Sequence, residues 1–159
     1  MTTAVCPGSF DPVTYGHLDV IERTARMVDA VVVAVGRNSG KHTLFTADER
    51  VDMLREACAS WPAVSVTLFD GLLVDFCRDN DIEVISKGLR SGGDFDYELQ
   101  MAHMNHHLSG VDTVFVPTAA RWSYVSSTRV RELATLGGDI SGLVPPFVVE
   151  QTLARVAVR

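Results

Sequence analysis

Short apolar segments rich in β-branched residues recur along the chain, and none of them contains a charged residue. They occupy residues 4–6, 30–35, 64–69, 84–86 and 113–116. Uninterrupted apolar runs of this length are typical of strands that are buried on both faces, as in a parallel sheet. The pattern therefore predicts five short buried strands.

Amphipathic stretches separate the apolar segments, at residues 17–28, 47–60, 72–80 and 95–108, and two more follow at 127–136 and 147–156. Their spacing predicts helices, and TADE at residues 46–49 is a capping-box pattern that begins the second. Alternating strands and helices predict an α/β fold with a doubly wound, open parallel sheet. No linker, repeat or low-complexity segment is evident, so we expect a single domain over residues 1–159.

Composition narrows the class of protein. The chain has 159 residues, of which 47% are hydrophobic and 21% charged, as expected for a folded domain with a sizeable core. Its formal net charge is −6, which argues against a partner that is a nucleic acid or an anionic membrane. An anionic small molecule remains compatible with this charge if a few basic residues converge.

The cysteines and the absence of a leader indicate a compartment. Cys6, Cys58 and Cys77 have no paired spacing and lie in apolar segments, so we expect reduced core residues. The chain does not begin with a charged-then-apolar leader, and no apolar run approaches the length of a membrane span. We therefore expect a soluble, cytoplasmic protein.

Three irregular segments follow the first, fourth and fifth predicted strands. They read PGSFDPVTYGH from residue 7, KGLRSGGDF from residue 87 and RWSYVSSTRVR from residue 121. Open parallel sheets bind ligands beyond the carboxyl ends of their strands, where the strand order reverses. We therefore expect these segments to meet at one crevice.

The first segment has features of a phosphate site. Gly8 allows close approach of the backbone to a ligand, while Ser9 and Phe10 supply hydroxyl and amide donors. Gly16 and His17 lie at the start of a predicted helix, whose N–H groups and positive dipole end attract anions. The alternative is an ordinary strand–turn–helix corner with a histidine that faces solvent.

The other loops offer hydroxyls and cations. VSSTRVR, at residues 125–131, places hydroxyls at another predicted helix start, although a plain serine or threonine N-cap explains it equally. Lys87 and Arg90 are expected directly after the fourth strand, and Lys41 in the loop after the second. The chain's two lysines would thus both lie in loops, where a solvated lysine is the common case. Together these features favour a phosphate-rich ligand.

Three other nucleotide or hydrolase motifs are excluded. GRNSGKH, at residues 36–42, is one residue short of a Walker A loop and has His42 where a magnesium-binding Ser or Thr belongs. No G-x-G-x-x-G follows the first strand, as a nicotinamide dinucleotide fold would require. No G-x-S-x-G elbow is present, which argues against an α/β-hydrolase.

The motifs resemble those of a known superfamily. TYGH, at residues 14–17, is similar to the T/H-x-G-H signature of nucleotidylyltransferases, and VSSTRVR to their I-S-S-T-x-x-R motif. Together with KGLR, DFDYELQMAHMN and WSYVSST, these motifs resemble the phosphopantetheine adenylyltransferases over nearly the whole chain. The resemblance implies a Rossmann-like nucleotidylyltransferase fold. It also implies AMP transfer from ATP to 4′-phosphopantetheine in coenzyme A biosynthesis, giving 3′-dephospho-coenzyme A and pyrophosphate.

The resemblance also assigns roles to residues. It implies that His17, Lys41 and Arg90 are catalytic. ATP would contact Ser9, Phe10, His17, Gly88, Leu89, Arg90, Glu98, Trp122, Ser123, Tyr124, Val125, Ser126, Ser127 and Thr128. The acceptor would contact Ser9, Lys41, Leu73 and Lys87. The chain departs from the pattern at Lys87, where some relatives have Arg, and at Arg131, where many have Lys.

The residue types suggest how such a transfer would proceed. The acceptor is itself a phosphate, so no side chain has to remove a proton from it. The protein has to hold two anions in line and stabilise developing charge. Mg²⁺ would arrive with ATP, so we assign no protein metal ligand and interpret Asp11 as a turn residue. A different acceptor, such as nicotinamide mononucleotide or a lipid-headgroup phosphate, and a non-catalytic adenine-nucleotide sensor remain alternatives.

The fourth predicted helix has two apolar faces. One stripe contains Tyr97, Met101, Met104 and Leu108, and the opposite side contains Phe95, Leu99 and Ala102. Two apolar faces predict burial between the sheet and a second body. That body is either a later segment, such as the C-terminal helix, or another subunit. The resemblance favours a subunit, because it implies a homohexamer, and it also implies feedback binding of coenzyme A.

Three histidines on this helix invite a metal interpretation. His103, His106 and His107 include an i, i+4 pair on one flank of the helix. No carboxylate or cysteine partner stands beside them in the sequence, as a zinc site would need. We expect them to form polar edges of the subunit interface.

Overall fold

A five-stranded parallel sheet forms the centre of the computed structural model, which describes residues 1–37 and 42–158. The strands are β1 Thr3–Gly8, β2 Ala30–Gly36, β3 Val64–Phe69, β4 Val84–Leu89 and β5 Asp112–Pro117. They lie in the order β3-β2-β1-β4-β5, and every neighbouring pair is parallel. The strand order therefore reverses between β1 and β4, and the predicted Rossmann-like α/β fold is confirmed.

Six α-helices accompany these strands in the described ranges. They are α1 Tyr15–Ala25, α2 Ala47–Ala57, α3 Leu73–Asp79, α4 Gly92–Ser109, α5 Ser127–Thr135 and α6 Pro146–Ala157. Every predicted helix is present, with ends displaced by a few residues. The predicted capping box also forms, since Glu49 N donates to Thr46 Oγ1 at 3.2 Å and Thr46 N donates to Glu49 Oε2 at 2.8 Å.

The sheet is covered on both faces. Successive residues of β1 point to opposite sides, so that Cys6 joins a large cluster with Phe45 and Val130, whereas Val5 joins a smaller cluster around α3. All three cysteines are buried and free, as predicted. Burial raises the pKa of each thiol to about 11, which keeps all three protonated at neutral pH.

Two predicted strand ends are wrong, and the difference changes where the charged residues lie. Pairing of β4 with β5 continues through Lys87 opposite Phe115 and Leu89 opposite Pro117. Pairing of β1 with β2 continues to Gly8. Lys87 is therefore a strand residue and not a loop residue. The sequence predicted that the strand ends before Lys87, because a charged residue after an apolar run usually lies beyond the end of a buried strand.

Helix α4 lies at the surface over its whole length and has no buried residue. Tyr97, Met101, Met104 and Leu108, here called the α4 stripe, are 41–68% exposed. The C-terminal helix α6 packs against α5 instead, so the alternative in which it covers this stripe is wrong. Over residues 1–37 and 42–158, moreover, no helix combines the length and apolarity of a membrane span.

Candidate active site

A cavity of about 330 Å³ opens at the carboxyl ends of β1 and β4, where the strand order reverses. Its floor contains Gly8 from β1 and Gly88 from β4, and its walls come from α1, α4 and residues 125–128. A Cβ atom on Gly88 would lie 2.7 Å from Val20 Cγ2 of α1, so glycine lets α1 pack directly against β4. The three segments predicted to converge do meet here.

His17 is held by the cap of α1. Thr14 is the N-cap residue, and its hydroxyl oxygen accepts a hydrogen bond from His17 N at 3.3 Å. In return, Thr14 N donates to His17 Nδ1 at 3.0 Å. A ring nitrogen that accepts from a backbone N–H carries no proton, so the proton of the neutral ring resides on Nε2. The cap thus leaves Nε2–H as the hydrogen-bond donor for a ligand.

The environment of His17 keeps the ring neutral. Desolvation by burial, followed by the positive charges of Arg90 and Lys87, lowers its pKa from 6.5 to about 4. The ring therefore stays uncharged at neutral pH and offers a hydrogen bond without adding a third cation. This is the form in which a histidine can donate to a phosphate oxygen.

Phe10 packs against the ring of His17. Its backbone is in the left-handed region, with φ of 50°, and its side chain is buried. The ring meets His17 edge-on, with the ring centroids 4.9 Å apart. A Cβ atom on Gly8 would lie 3.0 Å from the Phe10 ring, so this fold-back also depends on glycine. Ser9, the residue between them, is exposed.

The two cations in the cavity are already paired. Lys87 Nζ lies 3.2 Å from Glu98 Oε1, and Arg90 Nε lies 3.1 Å from Asp94 Oδ2. Both carboxylates belong to α4. The two cations and the two carboxylates balance in charge, so a phosphate has to compete with α4 for each cation.

Hydroxyls at the start of α5 also have partners within the chain. Ser126 is the N-cap residue, and its Oγ accepts from Arg129 N at 3.2 Å. Ser127 Oγ donates to the carbonyl of Pro12 at 2.7 Å and so joins α5 to the loop before α1. The ordinary N-cap interpretation of this motif therefore holds for Ser126. The segment nevertheless lines the cavity, as the phosphate-site interpretation required.

Most of the predicted site residues come together around this cavity. The lining contains Phe10, His17, Lys87, Gly88, Arg90, Glu98, Val125, Ser126, Ser127 and Thr128. Several others lie near it in the chain without lining it, namely Ser9, Leu89, Trp122, Ser123 and Tyr124. Leu73, at the start of α3, packs against the smaller core cluster. Lys41 lies outside the described residues.

Two residues that line the cavity, Thr14 and Asp94, were missed from the sequence, and so was Arg50, which is buried on α2. Thr14 had a usable signal, because a Thr three residues before a His capable of accepting a hydrogen bond has capping-box spacing. Asp94 had one as well, since it stands four residues after Arg90. Arg50 had none, because nothing in the sequence of an amphipathic helix distinguishes a buried arginine from an exposed one.

Comparison with known proteins assigns the chain to a family. The cytidylyltransferase-like family matches residues 5–133. A phosphopantetheine adenylyltransferase of a Nocardioides species is 59% identical over 157 residues, which is 99% of each chain. The phosphopantetheine adenylyltransferase of Thermobifida fusca is 54% identical over 157 residues, covering 99% of this chain and 96% of the relative. That of Streptomyces coelicolor is 53% identical over 156 residues, or 98% of each chain.

The chain belongs to the cytidylyltransferase-like family and, within that class, to the family of the phosphopantetheine adenylyltransferases. The resemblance found from the TYGH and VSSTRVR motifs is thereby confirmed at the level of the family. The roles of the individual residues remain predictions.

Proposed function

We propose that this protein transfers AMP from ATP to 4′-phosphopantetheine, giving 3′-dephospho-coenzyme A and pyrophosphate. The observation that carries the proposal is the cavity at the strand reversal, which a neutral His17 lines together with two cations and the start of α5. The family names of its relatives supply the substrates.

The reaction is a displacement at phosphorus. An oxygen of the acceptor phosphate forms a bond to the α-phosphorus of ATP, and the bond from that phosphorus to the bridging oxygen breaks. Pyrophosphate leaves with the electron pair, and no proton has to move. His17 Nε2–H, Lys87 and Arg90 would stabilise the charge on the phosphoryl oxygens while the cavity holds the reactants in line.

The carboxylates of α4 pair with both cations of the cavity. Glu98 lies 3.2 Å from Lys87, and Asp94 lies 3.1 Å from Arg90. Charge-assisted hydrogen bonds to phosphate replace these pairs on binding, because a phosphate offers more acceptor oxygens than one carboxylate. Selectivity for polyphosphate ligands over monoanions follows from this competition.

Magnesium enters this scheme as part of the ATP substrate. The cavity's two carboxylates, Asp94 and Glu98, are both engaged by cations, so neither offers the open oxygen cage that Mg²⁺ prefers. Bound through phosphate oxygens, the ion would neutralise charge on the departing pyrophosphate. Calorimetric titration with Mg²⁺ alone should then give no binding, whereas MgATP should bind.

Assembly into a homohexamer through the α4 stripe is part of the proposal. The stripe is apolar, lies along one side of α4 and is 41–68% exposed. Exposed apolar surface of this kind on a water-soluble enzyme marks a contact with another chain.

Feedback binding of coenzyme A at the cavity is also part of the proposal, because coenzyme A is similar to the reaction product.

The deciding experiment offers MgATP with a panel of acceptors and measures pyrophosphate release. The panel contains 4′-phosphopantetheine, nicotinamide mononucleotide and a lipid-headgroup phosphate. Release with 4′-phosphopantetheine alone supports the proposal. Release with another acceptor assigns a different transferase of the same superfamily, and ATP binding without release under any acceptor assigns a nucleotide sensor.

A further inference from the structure

Two buried charged residues of opposite sign lie beside the cavity, and neither has a place in the proposed reaction. Arg50, on α2, is 3% exposed, and Asp11, in the loop between β1 and α1, is also 3% exposed. Burying a charge is costly unless its hydrogen-bonding groups are satisfied. The partners of these two groups therefore indicate what they do.

Arg50 bonds to backbone carbonyls. Its Nη1 donates to the carbonyl of Ser9 at 2.5 Å and to that of Gly36 at 3.4 Å, and its Nε donates to the carbonyl of Thr46 at 3.3 Å. One planar guanidinium thus joins the end of β2, the start of α2 and the turn after β1. Burial lowers the pKa of Arg50, and the nearby charge of Asp11 acts in the opposite direction.

Asp11 joins the same two segments from the other side, since it belongs to the β1–α1 loop and binds the segment before α2. Its carboxylate accepts from Leu44 N at 2.8 Å and from Phe45 N at 2.9 Å. Arg131 of α5 donates to the Asp11 carbonyl at 2.6 Å, and its Nη1 lies 3.7 Å from the Asp11 carboxylate. Each charge therefore satisfies backbone groups of the other's segment.

From these contacts we infer that Arg50 is a positioning residue for the transfer, acting with Asp11 and Arg131 to fix the turn formed by Ser9 and Phe10. The turn needs external support, because Phe10 holds a left-handed φ of 50° that non-glycine residues rarely adopt. Its ring is packed edge-on against His17. A displaced turn would therefore move the wall against which the reacting phosphates are placed, and misplacement by about 1 Å can lower a rate about 100-fold.

Two tests are available. The kinetic test rests on the proposed function, whereas the test on the ring signals of His17 needs no turnover. Arg50→Lys keeps the charge but cannot reach three carbonyls with planar geometry. We expect kcat for pyrophosphate release to fall at least about tenfold, with the KM for ATP changing less than about threefold. The ring signals of His17 in histidine-labelled protein should shift as well. Arg55→Lys, an exposed substitution on the same helix, is the matched control and should change neither quantity.

A folded Arg50→Lys protein with the parent kcat and unshifted His17 signals would overturn the inference. If Arg50→Lys does not fold, Arg131→Met takes its place, since Arg131 donates to the Asp11 carbonyl and its side chain is 33% exposed. It should then give the same shift of the His17 signals, and their constancy would count against the inference. If the parent protein itself releases no pyrophosphate, the proposed function fails while the His17 signals still decide the role of Arg50.

Discussion

The backbone nitrogen of Thr14 donates to Nδ1 of His17 across 3.0 Å, so a helix cap determines which ring nitrogen carries a proton. The T-x-x-H spacing thereby has two consequences. It satisfies backbone groups at the start of α1, and it directs the ring's only N–H away from the cap. A structural device common to many helices thus prepares a side chain for chemistry.

Replacement of His17 by alanine should separate binding from turnover. We expect kcat to fall at least about 100-fold, the scale for loss of one preorganised donor, while ATP binds almost as before. Steady-state pyrophosphate release gives the first quantity and calorimetric titration with ATP the second. A variant that turns over at the parent rate would remove His17 from the mechanism.

The pKa of His17 predicts how the protein responds to acid. A folded value of about 4 against 6.5 in the unfolded chain means that the unfolded state binds the proton first as the pH falls. The His17 contribution to the free energy of unfolding should therefore be constant above pH 6.5 and decline between pH 6.5 and 4. Histidine NMR should show no titration of His17 from pH 5.5 to 8. A midpoint near 6.5 would contradict the assigned environment.

Lys87→Met tests the acceptor side of the cavity. Loss of one hydrogen bond to a charged group costs about 1.5–3 kcal/mol, so kcat/KM for 4′-phosphopantetheine should fall about 10- to 100-fold. Glu98→Gln is the matched control, because it removes the other half of the same ion pair and leaves the cation in place. An equal loss with both variants would mean that the pair itself, rather than the Lys87 charge, matters.

Arg155→Met should destabilise the packing of α6 on α2. The guanidinium forms an ion pair with Glu49, donates to the Leu44 carbonyl at 3.0 Å and lies 4.9 Å from the Phe45 ring centroid. We expect the free energy of unfolding to fall by about 1–2 kcal/mol, measured in urea. Arg55→Met, which loses only an exposed pair with Asp52, should cost less than about 0.5 kcal/mol.

The ion pair of Arg155 with Glu49 should also affect how the free energy of unfolding depends on pH in acid. The hydrogen bond from Arg155 lowers the pKa of Glu49 from 4.5 to about 2. The resulting stabilisation is complete above pH 4.5 and is lost as the pH falls toward 2. In Arg155→Met this dependence should weaken. An unchanged acid profile would show that Glu49 owes its low pKa to the α2 cap.

Met101→Glu tests assembly through α4. If the α4 stripe is buried between subunits, as proposed, a charge there should dissociate the oligomer, and light scattering at micromolar concentration should report the change. Met27→Glu is the control, since Met27 is 58% exposed and lies outside the α4 stripe. A parent protein that is monomeric at that concentration would defeat the assembly proposal directly.

The fold could be predicted because strand and helix patterns are local. The central parts of the buried parallel strands are apolar, and the capping box of α2 is visible in the four residues TADE. Strand ends were less predictable. Lys87 continues β4, and its side chain pairs with Glu98 on α4, about eleven residues further along the chain. No periodic pattern in the sequence indicates this partner. The motifs likewise located His17, whereas Arg50 escaped notice because only the folded chain brings carbonyls of three segments to one guanidinium.

Helix α4 brings together two properties that are usually found on separate elements. It supplies the carboxylates that pair with Lys87 and Arg90, and on another side it carries the exposed side chains of Tyr97 and Met101. With no residue of its own in the core, it is held in place mainly from the sheet side. If a second chain covers this outer surface, as proposed, its contact with α4 would also affect how readily Lys87 and Arg90 are released to an arriving phosphate.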